Sequence, residues 1–284
     1  MQFDVATLLA QWATGGLLFC WVTTRRREVG IGYGWLLRIS YGAMAVLSVI
    51  AGAGDEGTGA LVRNVFTALM ALGAAVALLQ SYLRRAAGVR GQRETRERRT
   101  ARVAAMTGET RDVDGDHEPL PEFDPRLDLL APVFGIAGLF GAAAFVGDDY
   151  ALSLARLLVG ALFLGAVSDA MLLGHWYLVQ PGLARDPIKE LVKAVAVLWP
   201  FELAVYLVPV GMVSVLNGTI DDGYSGLMGW MWIVASITTI GLVIATWFAL
   251  KEKSYSAVMA ATGLLYLAIL TGFGMDLLPR ALLS

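Results

Sequence analysis

Four side chains in this sequence have chemistry at odds with their surroundings. Asp169 and His175 lie in the apolar run between Ala151 and Pro187, Glu202 lies in the next apolar run, and Arg38 lies in an earlier one. A charge inside hydrocarbon costs about 3 kcal/mol or more, so such groups turn toward one another, and an unmatched acid holds a proton, a cation or a ligand. Counting 1.5 Å per residue inward from expected boundaries at Tyr177, Ala194 and Ile31 gives depths of about 12 Å for Asp169, about 12 Å for Glu202 and about 10 Å for Arg38. The expectation is one polar layer in the inner half of a membrane. Arg38 pairs there with one of the two acids, and the other is left to handle a proton or meet a headgroup. Pro200 and Pro209 each remove a backbone hydrogen bond, which predicts a bend beside Glu202. His175 precedes Trp176 and Tyr177, so it reads either as an interfacial belt residue or as a hydrogen-bond partner for a ligand entering from the inner side. A purely structural clasp between Arg38 and a carboxylate is the competing reading of the layer.

The elements that must hold these residues follow from composition. Of 284 residues 57% are hydrophobic and only 16% charged, which excludes an ordinary soluble domain. Mean hydropathy is +0.62. The apolar residues come in blocks of about 20, the length a helix needs to cross about 30 Å of hydrocarbon. Alternating ten-residue segments are too few for a β-barrel. The expected fold class is all-α, a polytopic transmembrane bundle of about eight spans. They cover Val5 to Thr23, Ile31 to Ala51, Ala60 to Leu83, Leu127 to Val146, Leu152 to Val179, Val192 to Leu216, Gly226 to Leu250 and Tyr255 to Leu277. The first span follows MQFD rather than a basic stretch, so it is expected to be a true span and not a signal peptide. Three regions result: residues 1–83 with three spans, 84–126 as a polar connection, and 127–284 with the remaining five.

Charge orients these spans. Arg25 to Arg27, the ten arginines from Arg84 to Arg126, the trio Arg185, Lys189 and Lys193, and the pair Lys251 and Lys253 put eighteen of the 22 basic residues at one end of the bundle. The other end carries Asp4, Asp55, Glu56, Asp148, Asp149, Asp221, Asp222 and Asp276. The positive-inside rule then predicts cytoplasmic arginine-rich connections and both termini outside, in a cell membrane of bacterial type. Arg63 and Arg156 are expected to snorkel outward, with Asp276 within their reach. Ala137 with Gly141, and Gly138 with Ala142, are small-residue pairs that predict close helix packing.

The connection 84–126 is basic in its first half and acidic in its second. Arg84, Arg85, Arg93, Arg96, Arg98 and Arg99 are the expected docking residues for anionic lipid headgroups or for a protein partner on the cytoplasmic side. Asp112, Asp114 and Asp116 lack the glycine and glutamate positions of a calcium loop, so no metal site is expected. Cys20 is the single cysteine, and of the two histidines His117 lies in the polar connection, so neither haem nor an iron–sulfur cluster is expected. The sequence contains no hydrolase, zinc-protease, P-loop or dinucleotide motif, and nothing in it points to an enzyme or to nucleic acid.

Two functions fit. One is a membrane subunit or anchor of a larger, respiratory-type complex, with a quinone or lipid headgroup as ligand of the inner polar layer. The other is a proton- or cation-coupled permease for a small solute. The topology common to both is testable: a cysteine introduced at Gly218 should react with an impermeant thiol reagent in intact cells, and one at Gly108 should not. The opposite pattern would reverse the bundle.

Overall fold

The structure is a computed structural model, and it describes residues 3–91, 93, 94, 97, 121–147, 149–180, 183–252 and 254–283. Among these residues every regular element is helical. The helices are α1 (Val5–Thr24), α2 (Ile31–Ala51), α3 (Thr58–Leu83), α4 (Leu130–Val146), α5 (Tyr150–Val179), α6 (Asp186–Leu207), α7 (Gly211–Leu216), α8 (Leu227–Ala249) and α9 (Tyr255–Leu282). A 3-10 turn, Pro125–Leu129, leads into α4.

Side-chain caps fix several starts where the sequence supplies a short polar residue. Asp4 accepts from the Thr7 amide at 2.7 Å, Asp149 from the Leu152 amide at 3.1 Å, and Ser254 from the Ala257 amide at 3.3 Å. Ahead of α8, Asp222 accepts from the amides of Gly226, Tyr224 and Met228, which hold its carboxyl below the ordinary range.

Seven of these helices are long and apolar enough to cross a membrane: α1, α2, α3, α4 with its leading turn, α5, α8 and α9. The protein therefore reads as an integral, multi-pass membrane protein. The expected sixth span differs most from expectation. Instead of one helix from Val192 to Leu216, the chain forms α6 and the short α7, interrupted at Val208, Pro209 and Val210. Pro209 has no amide to continue the ladder, whereas Pro200 is accommodated inside α6. α6 also starts earlier than expected, at Asp186 with Pro187 in its first turn, and so carries Lys189, Glu190 and Lys193 as helical residues.

The best-enclosed helices are α5 and α1, and they meet through backbone. A Cβ on Gly15 would lie 1.7 Å from the Ala161 carbonyl oxygen, and one on Gly165 would lie 2.2 Å from the Gly15 carbonyl carbon. Glycine at both positions is therefore a steric requirement. Helices α3 and α4 use the small residues anticipated from the sequence: Gly141 packs against Val62 and Arg63, and a Cβ there would lie 2.7 Å from the Arg63 amide. Around these contacts a single apolar core joins α1, α2, α5, α6 and α9 through Leu17, Tyr33, Leu37, Phe163, Val167, Leu191 and Leu265.

Gly15→Ala should lower the stability of the detergent-solubilised protein by about 1–3 kcal/mol, the usual cost of overpacking. The control is Gly263→Ala, where a Cβ meets only open space. Thermal unfolding of the two variants should separate them, and equal midpoints would remove the steric argument.

Candidate functional site

The buried polar groups do not form one layer. Among the described residues, Arg38, Asp169 and Glu202 belong to three separate clusters at successive levels, and an arginine clamp lies at the acidic end.

At the basic end, Arg38 reaches Asp128 rather than Asp169 or Glu202. Its Nε and Nη2 donate to the two carboxylate oxygens of Asp128, each at 2.7 Å, and both side chains are almost fully buried. Thr24 donates to the same carboxylate at 2.7 Å, Ser81 accepts from Nη1 at 3.4 Å, and Phe123 lies 4.5 Å from the guanidinium. The expected pairing is thus corrected. The turn before α4 carries Asp128 into the bundle, where a fork-to-fork fit uses the planar guanidinium fully. This cluster is satisfied, and chemically it is a clasp.

The middle level belongs to Asp169, which has no exposed surface. Its Oδ1 accepts from the Tyr41 hydroxyl at 2.6 Å, and its backbone carbonyl accepts from Tyr33 at 3.1 Å. Among the described residues its Oδ2 has no hydrogen-bond partner. The adjacent Ser168 accepts from the Trp12 indole at 2.9 Å. Tyr41 can reach this position because its ring lies over Gly16, where a Cβ would come within 2.1 Å of it.

Glu202 lies at a third level, toward the acidic end. The expectation of equal depth fails because α6 begins at Asp186, so Glu202 is about 24 Å along its helix, while Asp169 is about 15 Å from the end of α5. The two acids are therefore offset by about 9 Å along antiparallel neighbours. Around Glu202 stand Asp276 and Arg280 of α9, with Tyr206 one turn further along α6. Arg280 Nη2 donates to Asp276 Oδ1 at 2.8 Å and the Tyr206 hydroxyl donates to the same oxygen at 3.0 Å. Gln11 of α1 joins them over Gly160, where a Cβ would lie 2.1 Å from Gln11 Nε2 and 2.8 Å from Asp276 Oδ1. All five side chains are buried.

This cluster is rich in unmet hydrogen-bonding capacity. Among the described residues no N–H or hydroxyl donor reaches either oxygen of Glu202 or Asp276 Oδ2, although the two carboxyls lie against each other, and both polar atoms of Gln11 and Arg280 Nε have no partner. Most buried polar groups in folded proteins are paired, so this concentration marks a place where a proton, water or ligand belongs. Arg156 borders it, 5.4 Å from the Tyr206 ring, and donates to the carbonyls of Val205 at 2.9 Å and Val208 at 3.2 Å. These are carbonyls at the interruption between α6 and α7. Arg156 therefore caps a broken helix instead of snorkelling.

Arg63 does not snorkel either. With no exposed surface, it pairs with Asp4 at 2.6 Å and with Asp55, and it tethers the start of α1 to the α2–α3 connection. Asp276 serves neither arginine, being held by Arg280.

His175 is separate from every cluster. It is exposed on the outside of α5, with Nδ1 3.2 Å from the Tyr266 hydroxyl, so it does not join the polar groups as a ligand-facing residue. Of the docking arginines, Arg84 donates to the Glu122 carbonyl at 2.8 Å, Arg85 stacks 4.1 Å from Tyr82, and Arg93 pairs with the Glu122 carboxylate. Arg96, Arg98 and Arg99 lie outside the described residues, as do His117 and the aspartates at 112, 114 and 116. Among the described residues no group of three or more potential metal ligands converges.

Some missed residues had a signal. Asp276 and Arg280 stand at the i, i+4 spacing that pairs side chains on a helix. Asp128 follows the expected start of its span by one residue. Gln11 and Tyr41 gave none. No family model matches the chain, and no curated protein or solved structure matches it.

The clasp makes a quantitative prediction. Arg38→Met alone strands a buried carboxylate and should cost about 3–5 kcal/mol, whereas Arg38→Met with Asp128→Leu should recover most of that loss. Chemical unfolding in detergent reads both, and a double variant no better than the single would mean that the pair does more than balance charge.

Proposed function

We propose that this is a proton-handling membrane protein, a proton-coupled permease for a small solute, whose proton site is the carboxyl pair Glu202 and Asp276. The observation that carries the reading is Glu202 itself. It is fully buried, no N–H or hydroxyl donor among the described residues reaches either of its oxygens, and it lies against an aspartate whose charge Arg280 already matches. Two neighbouring carboxyls cannot both ionise cheaply in an apolar bundle, and a single shared proton gives each a hydrogen bond. Arg280 in the same cluster repels a metal cation, which favours the proton over sodium.

The broken helix supports the permease. Interrupted helices beside buried acids are the places where transporters open backbone to an ion path, and the α6–α7 interruption adjoins Tyr206 and Arg156. Asp169, with one oxygen unmet among the described residues, supplies a third carboxyl at a different depth.

In this reading α6 and α7 together form an eighth, interrupted span. The start of α6 lies at the basic end, where Arg185 donates to the carbonyls of Glu252 and Ser254, and its last carbonyls meet Arg156 near the acidic end. Its 22 residues reach about 33 Å. An even number of spans returns both termini to the outer face of a bacterial cytoplasmic membrane, with the arginine-rich connections inside.

A second reading, a membrane subunit or anchor that binds a headgroup or quinone at the basic end and docks a soluble partner there, draws on a cleft lined by Arg27, Gly30, Arg38, Ser81 and Phe123. It would leave Glu202 without a role.

Infrared difference spectroscopy between acid and alkaline samples reads the protonated carboxyl directly. Wild-type protein should show a buried carboxyl band that Glu202→Gln removes, while the variant elutes from a sizing column like the wild type. A band unchanged in both Glu202→Gln and Asp276→Asn would dispose of the proton site.

A further inference from the structure

Between α6 and α8, at the basic end of the bundle, lies a groove of ≈ 420 Å³ that the proton site does not use. Its walls are Val192 and Ala196 on α6 and Val243, Trp247 and Phe248 on α8, with Lys193 lining the same space. The walls are apolar and open outward, where Ile244 and Phe248 are exposed. In a membrane protein that direction is lipid. Lys193 brings one cation to the groove, and a second, the Lys251 ammonium, sits 4.7 Å from the ring of the wall residue Phe248. Among the described residues neither lysine pairs with a carboxylate, although nearby Glu190 is held by Arg25 and Arg26.

We propose that this groove is a binding site for one anionic glycerophospholipid, with an acyl chain lying between α6 and α8 and its phosphate held by Lys193 and Lys251. The chemistry on both sides of the site selects this occupant. A slot bounded by alanine, valine and aromatic rings matches a flexible hydrocarbon chain. Two ammoniums that pair with no carboxylate among the described residues match a phosphate, for which lysine acts as a point charge. A second copy of this chain would bury the two lysines against each other, which charge disfavours.

The occupied site would also brace α6 against α8 on the side away from the glycine-packed α1–α5 contact. α6 needs such support, since it ends at the interruption before α7 and carries Glu202.

Native mass spectrometry of the full-length protein after exchange into neutral detergent, titrated with phosphatidylglycerol or phosphatidylcholine, tests the site. The wild type should retain one phosphatidylglycerol in preference to phosphatidylcholine. Lys193→Gln with Lys251→Gln should weaken phosphatidylglycerol about thirtyfold, which is about 2 kcal/mol at 1.4 kcal/mol per tenfold change. Lys193→Arg with Lys251→Arg should restore retention, which separates charge from folding. Ala196→Trp fills the slot and should abolish retention with both lysines present. Equal retention of the two lipids, an unchanged glutamine variant, or a disulfide-linked dimer from Ala196→Cys would overturn the proposal. None of these outcomes depends on the proton site, which the infrared band of Glu202 reports separately.

Discussion

The contact between α1 and α5 governs most of what is polar in this protein. Because Gly15 and Gly165 have no side chains, the two backbones approach until a single added methyl would collide with a carbonyl. That approach brings Gln11 over Gly160 toward Asp276 and Arg280, brings the Trp12 indole to Ser168, and leaves Gly16 open for the Tyr41 ring on its way to Asp169. Less than two turns of one helix, Gln11 to Gly16, thus set the geometry of two buried clusters. A wider spacing would leave these groups in hydrocarbon without partners, at several kcal/mol each.

Within that frame the arginines divide by how fully they are satisfied. Arg38 with Asp128, and Arg63 with Asp4 and Asp55, are closed arrangements that join distant segments of the chain. Arg156 is spent on the carbonyls of a broken helix. Among the buried arginines described, Arg280 stands in a group with unmet hydrogen-bonding capacity, and there the number of acids exceeds the number of guanidiniums in contact with them. The contrast matters because a satisfied buried pair fixes structure, while an incompletely satisfied one responds to a proton. In a medium without water, that response is the chemistry on which the proposed function draws.

Depth was the weakest inference from sequence. It assumed that each span begins where the apolar run begins, and for α2 and α5 that is nearly so. For α6 it is not, because Pro187 starts the helix among charged residues and Pro209 ends it early. A displacement of two turns was enough to move Glu202 from the level of Asp169 to the level of Asp276. The same limitation explains Arg38. Its nearest acid belongs to a 3-10 turn that hydropathy assigns to the edge of a span, and only the contact of that turn with α2 shows Asp128 turned inward.

The sequence alone determined the helical class, the apolar lengths of the helices, the segregation of basic and acidic connections, and the presence of ionisable groups that an apolar bundle must shelter. These are properties of composition and period, which local chemistry dictates residue by residue. Only the tertiary structure decided which acid meets which arginine, that two helices, α6 and α7, stand where one span was expected, that His175 faces outward, and that Gln11, Glu202, Tyr206, Asp276 and Arg280 converge. Those outcomes depend on helix register and rotation. Both are set by close packing at a few glycines, and a rotation of one residue, 100° on a helix of 3.6 residues per turn, exchanges a buried partner for lipid.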